Sequence, residues 1–419
     1  MRATATAPPV LMLVWLLCGG AVSAEPLDRR IPGLFGGVLN TTIEHGIREG
    51  QPLHFSEQFR NLSAALAAAR SQAPIPSASG AFVFKWDEEL DTFVRSMQSL
   101  GPGLAERAQT LGARTGTLSL SYTRIDFDTL EGNPVGELTF AQPAISPTLL
   151  GQLPPSDQAK FGRDQLQTRL NLDLAFDLFF LTAAYGLTDA IDISLALAVN
   201  RAHMAATAQT LICRTNTDCV PGRENGNTLF LTDSAGNLSG PSGRLCAPGD
   251  VRCAIDTFDD SAVGTGDLFL RGKWHVADIR YADLALAGVL TFPTGNANDF
   301  LGFHDPTFTP WLIASKSFGR LAPHLNLGYA FRSGKDVSQA EWIAGADLLA
   351  FRWLTINADF LGFHDDKRDG VNDDVLQSAV GFKLNPIGQL VLAGNFQFPL
   401  NRDGLRADVI YTGQIEYTF

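Results

Sequence analysis

Beyond its first 24 residues the 419-residue chain holds no apolar run near the length of a bilayer-spanning helix. Such a helix needs about 20 consecutive apolar residues, so a helical membrane protein is excluded. Charge is also scarce: Asp, Glu, Lys and Arg make up 18% of the chain, below the ~25% usual for soluble domains. The charge present leans acidic, 44 acids against 32 lysines and arginines for a net of −12, and an acidic chain repels the phosphates of nucleic acid. No His-Glu-x-x-His and no well-placed Gly-x-Ser-x-Gly occurs, so the chemistry of a hydrolase has no carrier. No cofactor-binding motif stands out. Against these shortages stand 28 phenylalanines and 40 glycines. A Phe- and Gly-rich, charge-poor chain of middling hydropathy favours sheet over helix.

Residues 1–24 read as a signal peptide: Arg2 at the positive end, an apolar core over Val10–Cys18, and small residues Val22-Ser23-Ala24 before Glu25. A lipoprotein signal at Cys18 is the alternative, opposed by bulky Leu16 and Leu17. Export leaves Cys213, Cys219, Cys246 and Cys253, an even number in one polar region, which favours disulfides. Closing the shortest loops costs least entropy, so Cys213–Cys219 and Cys246–Cys253 are the expected pairs. A metal site is the other use of four cysteines, but no Cys-x-x-Cys spacing supports one, and no metal ligands are assigned.

From about residue 116 onward the hydropathy alternates with period two. Ala407, Val409, Tyr411, Gly413, Ile415, Tyr417 and Phe419 share one face, with Arg406, Asp408, Thr412, Gln414, Glu416 and Thr418 on the other. Leu354, Ile356, Ala358 and Phe360 alternate with Thr355, Asn357 and Asp359, and Leu268, Leu270 and Trp274 with Asp267, Phe269, Arg271, Lys273 and His275. A β-sandwich alternates in the same way. Strands of about 10–14 residues, connections that are short and long in turn, and a last strand ending on Phe419 point instead to a transmembrane antiparallel β-barrel. The expected fold is therefore all-β, with twelve strands, or fourteen if a hairpin around residues 82–95 joins the wall. Residues 25–81 carry Phe55, Phe59, Leu62 and Leu66 at helical spacing and read as a small, partly helical N-terminal plug, or else a periplasmic tail. Residues 82–115 lead into the barrel at 116–419, and 205–263 forms a long Cys-bearing outer loop.

Gly264-Thr265-Gly266-Asp267-Leu268, Lys273-Trp274, Leu290-Thr291-Phe292-Pro293-Thr294-Gly295 and Pro323-His324-Leu325-Asn326-Leu327-Gly328-Tyr329 follow one another in an order that resembles a bacterial family. It is the outer-membrane family of MetA-pathway phenol-degradation proteins, itself similar to the long-chain fatty acid and aromatic hydrocarbon transporter barrels. The resemblance covers mostly 165–419, and the loop at 205–263 is not part of its pattern. It implies a monomeric outer-membrane barrel with an N-terminal plug that passively admits hydrophobic small molecules. A general or selective porin is the rival reading, and a surface interaction protein built on the 205–263 loop is the third.

Two sets of candidate residues follow. The heptapeptide Asp299-Phe300-Leu301-Gly302-Phe303-His304-Asp305 recurs as Asp359-Phe360-Leu361-Gly362-Phe363-His364-Asp365. Phe300, Phe303, His304, Asp305, Phe360, Phe363, His364 and Asp365 are thus a candidate extracellular binding rim, unless both copies are plain strand exits. Asn171, Asp173, Asp177, Arg271, Lys273, His275, His324, Asn326, Asn357, Asp359, Arg406, Asp408, Gln414 and Glu416 are the candidate lumen-lining set, either a selective channel or ion pairs in a packed lumen. The expected partners are outer-membrane lipids and lipopolysaccharide, hydrophobic solutes, and the barrel-assembly machinery at the strand ending in Phe419. Nucleic acid is not among them.

Overall fold

A computed structural model describes residues 25–37, 40–43, 80–82, 84–87, 92–95, 99–145, 147–214, 229–232, 244–247, 250, 252–333, 337–366 and 374–419. Twelve strands among them close into an antiparallel barrel: β1 (Gly116–Asp126), β2 (Asp164–Gly186), β3 (Ile191–Arg214), β4 (Cys253–Asp278), β5 (Asp283–Phe292), β6 (Thr307–Ser315), β7 (Leu321–Ala330), β8 (Gln339–Phe351), β9 (Leu354–Asp365), β10 (Asp374–Ile387), β11 (Leu390–Pro399) and β12 (Ile410–Thr418). Each strand pairs with its neighbours in sequence, and β12 pairs with β1 from Ile410↔Ile125 to Thr418↔Thr117, which seals the cylinder. Closure leaves no backbone edge facing the surroundings, the condition for a sheet in hydrocarbon. No helix of the described residues is long and apolar enough to cross a membrane; the crossing elements are strands.

The wall sorts its side chains by parity. Leu118, Leu181, Leu195, Leu270, Leu286, Leu312, Leu325, Leu348, Ile356, Val380, Leu392 and Ile415 all point outward and are more than a third exposed. Their inward neighbours Thr117, Thr182, Ser194, Lys273, Ser315, His324, Asn326, Asp347, Thr355, Asn357, Lys383, Asn395 and Gln414 are buried. Water outside would make this a costly arrangement, at about 25 cal/mol for each Å² of apolar surface left wet. Lipid removes the cost. Phe351 and Trp353 stack near the short-turn end, and Tyr417 lies against Phe419, as interfacial aromatics do.

Strands β2, β3 and β4 run for 23, 24 and 26 residues, about twice what a bilayer requires. Register is unbroken along the β2–β3 pair, so one face points inward throughout. Chemistry changes along that face. Toward the long-loop end Leu166, Leu170, Leu172 and Leu174 point inward and are buried, while Arg169, Asn171 and Asp173 point outward and are exposed. Beyond the membrane the outer face meets water, so the strand behaves as in a soluble sheet, oily side inward. This corrects the expectation for Asn171, Asp173 and Asp177, which do not line the lumen. Asp177 is buried on the outer face, bound by Arg124 at 2.9 Å and by the Tyr122 hydroxyl at 2.7 Å. The long strands also narrow the loop expected over 205–263, because residues up to Arg214 and from Cys253 onward are β-paired. The Cys246–Cys253 disulfide closes there, and Cys213 is also disulfide-bonded; Cys219 lies outside the described residues.

The lumen is occupied by the chain that precedes the barrel. Residues 99–112 run through it, nearly all of them buried. Ala81, Phe82 and Leu100 pack on Val391; Leu104 and Ala105 on Ile343, Leu361, Phe363 and Ala379; Ala108 on Ala285, Ala287 and Ile313. An extended segment without a sheet partner must bond its backbone elsewhere, and the wall supplies side chains. Leu100 N–H donates to Thr355 Oγ1 at 2.9 Å, Ala108 N–H to Ser315 Oγ at 2.9 Å, and Leu111 N–H to Asp192 Oδ2 at 3.0 Å. Lys273 Nζ donates to the Gln109 carbonyl at 2.8 Å, and Ala81 N–H donates to Glu416. Gly186 makes room for this strap: a Cβ there would lie 1.9 Å from the Gly112 carbonyl oxygen.

The hairpin Phe84–Asp87 with Thr92–Arg95 pairs only with itself among the described residues and adds nothing to the wall, so the barrel has twelve strands rather than fourteen. The helix expected around Phe55–Leu66 and the signal peptide lie outside the described residues. Residues 25–37 sit at the opposite end from the strap, by the long loops. Leu27, Ile31, Leu34 and Phe35 are buried there with Phe300 and Leu301, and Leu27 N–H donates to Asp299 Oδ1 at 3.0 Å.

Candidate functional site

Above the strap the lumen widens into a cavity of about 140 Å³. Its floor is Leu104 and Glu106 of the strap; its wall is Leu178, Phe180, Ala198, Asn200, Asp267, Phe269, Arg271, Val289, Thr291, Thr307, Thr309, Trp311, Asn326, Arg332, Glu341, Ile343 and Phe363, with Phe303 reaching in from the loop after β5. Strands deliver these side chains because every second residue points inward. Phe180 of β2 and Phe269 of β4 reach toward each other over the intervening β3, with ring centroids 6.0 Å apart. The volume is close to that of an engineered protein cavity that takes up benzene, ~150 Å³.

Polar groups enter the cavity in pairs. Arg271 meets Glu106, and Lys273 stands 3.8 Å from the same carboxylate and 3.5 Å from Asp192. Asn326 fixes the Glu106 backbone from both sides: it accepts from the N–H at 3.0 Å and donates to the carbonyl at 3.1 Å. On the far side Arg332 lies over the Phe303 ring, 4.8 Å from its centroid, with Glu341 3.9 Å away. A guanidinium on an aromatic face is held by the ring's quadrupole as well as by its acid. Asp267 anchors the loop that carries Phe303, accepting from Phe303 N–H at 2.8 Å and Gly295 N–H at 3.1 Å. The site thus offers an apolar body with fixed charges at two ends.

The heptapeptide copies part company. In the second copy, within β9, alternation sends Phe363 and Asp365 inward and Phe360 and His364 outward. Phe360 lies on the lipid-facing side, His364 pairs with Asp374 at 2.7 Å, and Asp365 accepts from Gln339 at 2.8 Å. The first copy is not a strand. It leaves a 3₁₀ turn at Ala297–Asp299 with Phe300 left-handed, at φ 58°. Phe300 is buried beneath residues 25–37, Phe303 enters the cavity, His304 is exposed and Asp305 half-buried. The eight residues do not form a single rim; Phe303 and Phe363 meet at one cavity and the others scatter.

Of the lumen set, Arg271, Lys273, His275, His324, Asn326, Asn357, Asp359, Gln414 and Glu416 point inward. Arg271 and Asn326 reach the cavity, whereas Lys273, His275 and Glu416 hold the strap. His324 is bound to Asp359 at 2.6 Å, with Asp347 3.9 Å away. Arg406 and Asp408 precede β12 and lie outside the lumen: Arg406 is buried at the long-loop end beside the Leu376 carbonyl, and Asp408 is exposed. Among the described residues no cluster of three or more His, Cys, Asp or Glu side chains is placed to hold a metal ion. Sequence reasoning missed Glu106, Leu104, Phe180, Trp311, Arg332, Glu341 and Ile343. One sign was present, since Phe269 falls on the wet face of its strand. An apolar residue on a polar face marks a place where that face is not wet.

Together these observations define a membrane-spanning antiparallel β-barrel with an internally strapped lumen and an amphipathic cavity above the strap. Similar solved structures are an outer-membrane channel from Pseudomonas putida F1 (TM-score 0.45, 11% identity, covering 74% of this chain and 98% of that one), a Pseudomonas aeruginosa FadL homologue (0.33, 11%, 73% and 90%) and the CymD monoaromatic hydrocarbon channel (0.34, 8%, 73% and 88%). No protein-family model matches the chain, and no curated protein matches it.

Proposed function

We propose that the protein is an outer-membrane channel that passively admits small, largely apolar molecules. The observation that carries this reading is the cavity. It lies within the lumen, is walled by Phe180, Phe269, Phe303, Trp311 and Phe363, and is floored by a strap whose backbone is held by side chains of the wall. Burial of a solute's apolar surface there contributes about 25 cal/mol per Å², enough for transient capture without trapping. The outer belt faces lipid and lipopolysaccharide, and the closing strand that ends at Phe419 is the segment offered to the barrel-assembly machinery. A water-filled general porin is the rival, and the strap filling the lumen speaks against it. Proteoliposomes test the reading: entry of labelled monoaromatic compounds without swelling in sugars is the expected result, and swelling in sugars without aromatic entry overturns it.

A further inference from the structure

This inference rests on the channel reading and names the solute's chemistry. Glu106 is a carboxylate on a rigid arm, because Asn326 clamps its backbone on both sides. It is presented to Arg271 at the floor of a cavity whose adjoining wall is the Phe180 and Phe269 rings. An acid–guanidinium pair facing an aromatic cavity is the pattern that a bound aryl carboxylate would make, with the protein supplying the carboxylate itself. The second oxygen of Glu106 already stands 3.8 Å from Lys273, so the side chain has another cation to turn to. We propose that Glu106 stands in for a solute carboxylate, and that the cavity takes single-ring aromatic acids by exchanging their carboxylate for Glu106 on Arg271. The cavity, about 140 Å³, admits one ring and not a long acyl chain.

The probes are benzoate and its neutral isostere benzamide, titrated calorimetrically into the full mature protein in detergent. Wild type is expected to bind benzoate more tightly than benzamide. Glu106→Gln removes the internal competitor's charge and is expected to tighten benzoate about tenfold, whereas Arg271→Gln weakens it by about tenfold or more, the scale of one charge-assisted contact. Benzamide should change less than twofold in both. Arg271→Lys keeps the charge and is expected to recover part of the benzoate binding, which separates recognition from misfolding; heat-modifiable gel mobility checks the barrel. Equal binding of the two probes, or parallel shifts of both in the variants, overturns the proposal while leaving a channel for neutral solutes. Failure of both probes to bind or to enter proteoliposomes overturns the channel reading as well.

Discussion

Asn326→Ala tests how the strap is held. Asn326 is buried and makes two hydrogen bonds to the backbone of Glu106, at 3.0 and 3.1 Å. Truncation leaves an N–H and a C=O buried without these partners, and each such group costs about 1–3 kcal/mol. The strap has no sheet pairing to fall back on, so the loss falls on its local equilibrium between docked and released. Two groups together amount to ~2–6 kcal/mol, which raises the released population by about 30- to 20,000-fold, since ~1.4 kcal/mol is a factor of ten. Amide hydrogen exchange followed by mass spectrometry on protein in lipid nanodiscs reads this directly. Peptides covering 100–111 should exchange faster by that factor, while peptides from β7 and β8 keep their protection. Unchanged exchange over 100–111 would refute the claim that wall side chains hold the strap. Equal acceleration in the wall would show that Asn326 supports the barrel rather than the strap.

Other outcomes follow from the same geometry. Leu325→Arg, on the lipid face of β7, should cost about 2–4 kcal/mol in urea unfolding from lipid vesicles, whereas Asn171→Arg on the water-facing part of β2 should cost less than about 0.5 kcal/mol. Phe303→Ala and Phe363→Ala should each slow uptake of a monoaromatic solute about tenfold through lost apolar contact, while Phe360→Ala, the same heptapeptide position as Phe300, leaves uptake unchanged. Gly186→Ala should displace the strap, because its methyl would fall within bonding range of the Gly112 carbonyl oxygen; faster exchange at 108–113 with an intact barrel is the signature. Reduction of Cys246–Cys253, which closes a loop of sequence separation 7, should leave both barrel stability and solute uptake unchanged, because the loop lies beyond the membrane.

The barrel was legible because its signal is local. A strand in a bilayer must place alternate residues in oil and in a wet or packed interior, and this writes period two into the chain at β7, β9 and β12 alike. The plug was legible only as something N-terminal to the barrel. Residues 99–112 carry no period, because an extended strap bonded through its backbone makes little demand on its own side chains beyond small ones where the wall is close. Gly103 shows that demand: a Cβ there would lie 2.3 Å from Asn357. The polarity of β2 was misread for a different reason. Leu170, Leu172 and Leu174 alternate with Asn171 and Asp173 as a lipid-facing strand does, and alternation says which residues share a face but not what that face meets.

The amino-acid sequence by itself determined the strand class and the order of short and long connections, because these depend on neighbours two residues apart or on composition. Tertiary structure alone decided what the two identical heptapeptides became. At Gly302 a Cβ would lie 2.5 Å from Asp267, and the copy folds back into a loop; at Gly362 it would lie 2.2 Å from the Trp342 indole, and the copy stays a strand. The same residues met different partners, and contacts brought from about 35 to 20 positions away outweighed a local preference common to both. The cavity arose in the same way, from Phe303 of one copy and Phe363 of the other, placed together by closure of the barrel.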